Sequence, residues 1–154
     1  MIVWWWACTG PSAPTGPTTG GDAAIRVLPA SEDLPLVRIL EVHADEPSEV
    51  EVTWSDGEHT EHAVAPTATD HVLPLLRLRA DRPWDVDVTV RGASGERHRH
   101  LTFDVGPLPE PFPELVVHTS DADRASPGDT LFGADGDAHW SLVVDVDGEV
   151  VWAW

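Results

Sequence analysis

Two stretches of strict period-two alternation constrain this chain more than any other feature. Val50, Val52 and Trp54 alternate with Glu49, Glu51, Thr53 and Ser55, and Trp84, Val86, Val88 and Val90 alternate with Asp85, Asp87, Thr89 and Arg91. Successive strand residues point to opposite faces, so each stretch presents one apolar face to a core and one polar face to solvent. A helix of the same sequence would scatter its valines around the axis. Leu101, Phe103 and Val105, set against His100, Thr102 and Asp104, repeat the scheme.

Around these stretches lie further short runs bounded by turn residues, and together they predict strands near 24–28, 36–43, 49–55, 58–64, 71–79, 84–91 and 97–105. Ser55-Asp56-Gly57 and Ser94-Gly95 supply the positive φ that tight hairpins need, which links the third run to the fourth and the sixth to the seventh. With 14 Pro and 12 Gly, long helices are not expected. The expected fold is all-β, a seven-stranded sandwich over residues 23–106.

The charge balance narrows the partners. Against 27 acidic residues stand nine basic ones, all of them Arg, for a net charge of −18. Such a surface repels a phosphate backbone, so nucleic acid and anionic membrane surfaces are not expected partners. The single cysteine, Cys8, excludes an internal disulfide framework. A Pro-rich segment, Gly106-Pro-Leu-Pro-Glu-Pro-Phe-Pro-Glu114, ends the last strand because proline lacks the ladder donor. The domain boundary is expected there, with a linker over 107–114 and a separate segment over 115–154.

Met1-Ile-Val-Trp-Trp-Trp-Ala-Cys8 is a short apolar run ending in Ala-Cys, followed by a Gly, Pro, Thr and Ser tract to residue 22 that reads as a flexible tether. The succession resembles the end of a bacterial lipoprotein signal, which implies lipidation at Cys8 and an exported, periplasmic or cell-surface protein anchored to a membrane. The run lacks a charged n-region and is short, which a start site upstream of Met1 would explain.

Leu78-Arg-Ala-Asp-Arg-Pro-Trp84-Asp-Val-Asp-Val88 places a leucine six residues before an aromatic that opens an alternating valine strand. That pattern resembles the corner before the sixth strand of fibronectin type III domains, with Trp84 where that family usually has tyrosine. The resemblance covers about 80 residues and implies a fibronectin type III or immunoglobulin-like sandwich.

Beyond the linker, Leu115–His118 is expected as a strand, Ser126-Pro-Gly-Asp129 as a turn and Thr130–Phe132 as a strand. A hairpin then follows over Trp140–Trp154, with Asp147-Gly148 at its turn and apolar residues on both faces. Alone it would expose Trp140, Trp152 and Trp154, so the chain is expected to stop in mid-domain. Pro113-Glu-Leu-Val-Val117, Pro127-Gly-Asp-Thr-Leu-Phe132 and Leu142-Val-Val-Asp-Val-Asp-Gly-Glu-Val-Val-Trp152 resemble the entry into the arylsulfotransferase family, where a small β domain leads into a β-propeller. The resemblance implies a parent that moves a sulfuryl group from a phenolic sulfate to a phenolic acceptor through a sulfated histidine. The histidines and arginines concerned lie in later blades, so no catalytic residue carries over to this chain. Its tail offers only His118, Arg124 and His139, with no pocket expected to close around them.

Two constellations invite other chemistry. His98 and His100 share one face of a strand, and His59 and His62 stand on a neighbouring run, a spacing open to metal ligands but, interleaved with Arg97 and Arg99, more often that of a solvated face. Asp135, Asp137, Asp145 and Asp147 are calcium-loop residue types without the complete ligand sequence of such a loop. No serine has a nucleophile-elbow context, and the glycines sit in turns rather than in a phosphate cradle. No metal, cofactor or catalytic set is therefore assigned. Two functions are expected as rivals: the non-catalytic forepart of an exported arylsulfotransferase-like protein whose partner is the remainder of a propeller, and a free-standing surface binding or adhesion module. The sequence names no small-molecule substrate for either.

Overall fold

The computed structural model describes residues 23–118, 124, 128–135 and 138–154, and these contain strands and turns with no helix. The chain is all-β, as expected. Five strands build the sandwich: β1 (Ala24–Pro29), β2 (Arg38–Ser55), β3 (Thr60–Leu75), β4 (Arg82–Gly92) and β5 (Gly95–Val105). The seven expected runs all fall on these strands with shifted ends, and 36–43 and 49–55 prove continuous in β2 while 58–64 runs on into 71–75 in β3.

The reason is visible in the burial. Even-numbered residues of β2 face the core from Leu40 through Ala44 and Ser48 to Trp54, so inward parity never breaks across the acidic His43–Glu49 stretch. The β2–β3 ladder shifts register between His43 and Ser48 and again before Val50, and Pro47 falls within that irregularity, where its missing N–H interrupts no regular pairing. A strand that bends in this way can serve two layers. Its first part pairs with β1 and with the end of β3 (Leu40↔Val27, Leu40↔Leu73), and its last part pairs with the start of β3 and with β4 (Val52↔Ala63, Val52↔Val88). β5 then pairs with β4 as the outer strand, from Arg82↔Val105 to Gly92↔Gly95.

Between the two layers lies one continuous core. Leu36, Leu40, Val42, Leu73 and Leu75 from the first layer meet Val50, Val52, Trp54, Trp84, Val86 and Val88 from the second, and most are fully buried. The alternation seen in sequence is thus the inner face of β2 and β4. Burying side chains of this size contributes roughly 1.5–3 kcal/mol each. On β5 the inward parity continues from Leu101 and Phe103 back to Arg99 and Arg97, both exposed. Charges in that position deter a second chain from pairing along this outer edge.

The corner between β3 and β4 departs from expectation. The strand foreseen over 71–79 ends at Leu75, and residues 76–81 turn instead, with Arg77 and Asp81 at φ 61° and 56°. Leu78 is driven fully into the core, the Trp54 indole donates to the Leu76 carbonyl at 2.9 Å, and the Asp81 amide donates to Gly106 O at 3.2 Å. Tertiary anchoring at those three points overrides the strand propensity of the apolar run.

The C-terminal strands form a second sheet, β6 (Thr130–Asp135), β7 (His139–Val144) and β8 (Val150–Ala153), in a consecutive antiparallel meander. Leu115–His118, expected as a strand, makes no ladder: Val116 and Val117 are exposed, and Val117 lies across the Gly148 turn instead. The hairpin is buried on one face only, through Leu142, Val151 and Ala153, while Leu131 and Trp154 remain exposed. Phe112 covers part of the sheet, its ring 5.1 Å from that of Trp140, whose indole donates to Pro111 O at 3.0 Å.

Candidate functional site

Polar groups converge most densely where the end of the sandwich meets the C-terminal sheet, and two turns of the same design build that junction. At the first, Asp56 Oδ1 accepts the amides of Glu58 (3.0 Å) and His59 (2.7 Å), and Gly57 takes φ 92°. At the second, Asp145 Oδ1 accepts the amides of Asp147 and Glu149, both at 3.0 Å, and Gly148 takes φ 83°. In each, an aspartate side chain caps the turn by satisfying amides that the ladder leaves free.

The β3–β4 corner and the first residue of β4 bring Arg79 and Arg82 to these turns. Arg79 donates to Asp145 Oδ2 and lies 2.6 Å from Glu149 Oε2 as an ion pair, with its side chain 4% exposed. Arg82 donates to Asp56 Oδ2 at 3.0 Å and to Glu149 Oε1 at 2.5 Å. Arg77 reaches Glu61 at 2.6 Å and also Asp129. Burial raises the Asp56 carboxyl, but the amides of His59 and Glu58 and the Arg82 guanidinium outweigh it and bring the pKa down to about 2. Asp145 is likewise lowered: burial opposes ionisation, and the Glu149 amide and Arg79 prevail.

This junction also gathers residues with metal-ligand chemistry. Donor atoms of His59, Asp145 and Asp147 lie within 4.8 Å of one another, the one such group among the described residues. The fit to a cation is poor. Asp145 Oδ1 is taken by two amides and Oδ2 by the Arg79 guanidinium, and Arg82 adds positive charge nearby on Asp56 and Glu149. Calcium would need six to eight oxygens and zinc a set of free donors. The arrangement is chemically that of a closed ion-pair junction.

The other expected constellations separate. His62 pairs with Glu51 at 3.1 Å and His59 turns to Asp56 and Asp147, so the two do not join His98 and His100. His98 contacts Thr89 and Glu96, and His100 contacts Asp87 at 2.9 Å, a hydrogen bond that raises its pKa. These form a cross-strand polar ladder on an exposed sheet face. Asp135 is exposed and pairs with His139, while Asp137 lies outside the described residues, as does Cys8. His118, Arg124 and His139 are exposed. A cleft of about 250 Å³ opens between the β2 bend and the β4–β5 hairpin, lined by Ala44, Glu46, Ser48, Val90, Gly92 and Arg97. There Glu46 accepts the Ser94 amide at 2.8 Å, and the Ser48 hydroxyl donates to Glu46 O, so neither is poised as a base or nucleophile.

Sequence reasoning did not single out Asp56, Arg77, Arg79 or Glu149. A detectable signal existed: Arg79 interrupts an apolar run beside Leu76 and Leu78, and a charge in such a place must find a buried partner.

Among protein families, no model matches the chain, and no curated protein matches it. Among solved structures it is similar to the fn3 domain of the human collagen alpha-1(XX) chain, at 20% identity and a TM-score of 0.44, over 70% of this chain and 99% of that one.

Proposed function

We propose that this chain is the non-catalytic forepart of an exported, arylsulfotransferase-like protein, in which the sandwich serves as a spacer or interaction module and Cys8 as a lipid anchor. The observation that carries the reading is the β6–β7–β8 meander, three consecutive antiparallel strands of the kind that a four-stranded propeller blade repeats, formed within two of the three segments that resemble the family's first blade. Support comes also from the arginines. A site for a transferring sulfuryl group needs cationic donors around an open pocket, whereas Arg77, Arg79 and Arg82 are each engaged by carboxylates of this chain. Determining the coding sequence on both sides of the frame tests the reading. Further tryptophan-bearing blades downstream and a signal upstream support it; a stop directly after Trp154 with no signal refutes it.

A second reading, a free-standing surface binding module, draws on Leu131 and Trp154, 70% and 62% exposed at the C-terminal sheet. Apolar side chains of this size in solvent mark contact surfaces. The same coding sequence separates the two.

A further inference from the structure

We infer that the β3–β4 corner is a latch that locks the β6–β8 sheet onto the end of the sandwich, with Arg79 as its pin. The alternative for a sheet joined through the Pro-rich 106–114 segment is to swing on that segment. The geometry of the corner opposes swinging from both sides.

On the sandwich side, the arginines do not stand on a loose loop. The corner is tied down by Leu78 in the core, by the Trp54–Leu76 hydrogen bond and by the Asp81–Gly106 hydrogen bond. On the other side, Asp145 and Glu149 sit at the two ends of a turn closed by Asp145 N donating to Glu149 O at 3.0 Å. Between them, Arg79 and Asp145 have side chains 4% and 1% exposed although they stand 66 positions apart in the chain. A charge buried so far can persist only while its partner stays seated, because the unpaired group would face a large desolvation cost. Arg82 adds a second bridge by holding Asp56 and Glu149 together, and Arg77 a third by holding Glu61 and Asp129. Salt screens the outer bridges and leaves the buried Arg79 pair little affected. A partner that engages the β6–β8 sheet is thereby held at a set orientation to the sandwich.

The test uses the full chain and its Arg79→Met, Asp145→Asn and Glu149→Gln variants. Opening is read by cleavage with a glutamyl endopeptidase at Glu114-Leu115 and by amide exchange. The latch predicts that cleavage and exchange at Leu142, Val143 and Trp152 quicken by roughly ten- to a hundredfold in Arg79→Met. Exchange at Val88 and Thr89 in β4 stays as in the parent chain. Should Arg79→Met unfold the sandwich, Asp145→Asn and Glu149→Gln, which lie outside it, decide: selective opening of β7–β8 upholds the latch. Unchanged exchange in those two variants, or loss of protection throughout the chain in all three, overturns it.

Discussion

Replacing Asp56 with asparagine isolates the contribution of one charged cap to the fold. The Asp56 side chain is fully covered, and its carboxyl is held at about 2 against an ordinary 3.8. At 1.36 kcal/mol per pH unit that gap corresponds to about 2.4 kcal/mol, and the amide hydrogen bonds that an asparagine oxygen retains reduce the share lost on substitution to about 1–2 kcal/mol. The sign follows from the direction of the shift. A carboxyl lowered in the folded state stabilises it above the unfolded pKa, and that stability is lost as pH falls through the folded value. Asparagine keeps the oxygen that accepts the Glu58 and His59 amides but cannot bear the charge that holds Arg82. Asp56→Asn should therefore cost about 1–2 kcal/mol at neutral pH. By linkage, most of that difference from the parent chain should persist to about pH 5 and less than a third of it to about pH 2. Urea unfolding followed by far-ultraviolet circular dichroism at a series of pH values measures it, and subtracting the variant cancels the other carboxylates. A difference that stays constant across the series, or a carboxyl titration of Asp56 by NMR centred near 4, would refute the reasoning.

Leu40 and Val72 make a contrast pair, since Leu40 is fully buried and Val72 is 68% exposed on the other parity of neighbouring strands. Leu40→Ala should lower unfolding free energy by about 2–5 kcal/mol and Val72→Ala by less than about 0.5 kcal/mol, as read by urea midpoints. Trp54→Phe removes the indole donor to Leu76 O together with on the order of 40 Å³ of core, for a cost of about 2 kcal/mol. Thermal unfolding should show it as a lowered Tm, and an unchanged Tm would deny the hydrogen bond a role in holding the corner.

How far the sequence revealed the fold depended on how local the deciding interaction was. Val50, Val52 and Trp54, like Trp84 to Val90, declare their inward face through alternation alone, and the structure buries those residues. Gly57 and Gly95 declared their hairpins through the positive φ that only glycine adopts without strain, and both have it. The continuity of β2 through Pro47 was hidden because proline and an acidic run signal a break. Only the partner strands show that the ladder there is irregular and tolerates a missing donor. Val116 and Val117 have strand propensity, yet among the described residues no strand pairs with them, and propensity without a partner makes no ladder. The junction was the least legible feature. Arg79, Asp145 and Glu149 are distant in sequence, and nothing local to any of them indicates the others.

Sulfuryl transfer by the 154-residue chain itself is the most direct measurement. With a chromogenic aryl sulfate as donor and a phenol as acceptor, a non-catalytic forepart should release the donor phenol no faster than a blank. It should do so equally before and after lipid is attached at Cys8. Release above the blank that tracks the amount of chain, and that disappears when Arg79 or His59 is replaced, would contradict the assignment. It would turn the ion-pair junction between the two sheets into an active site.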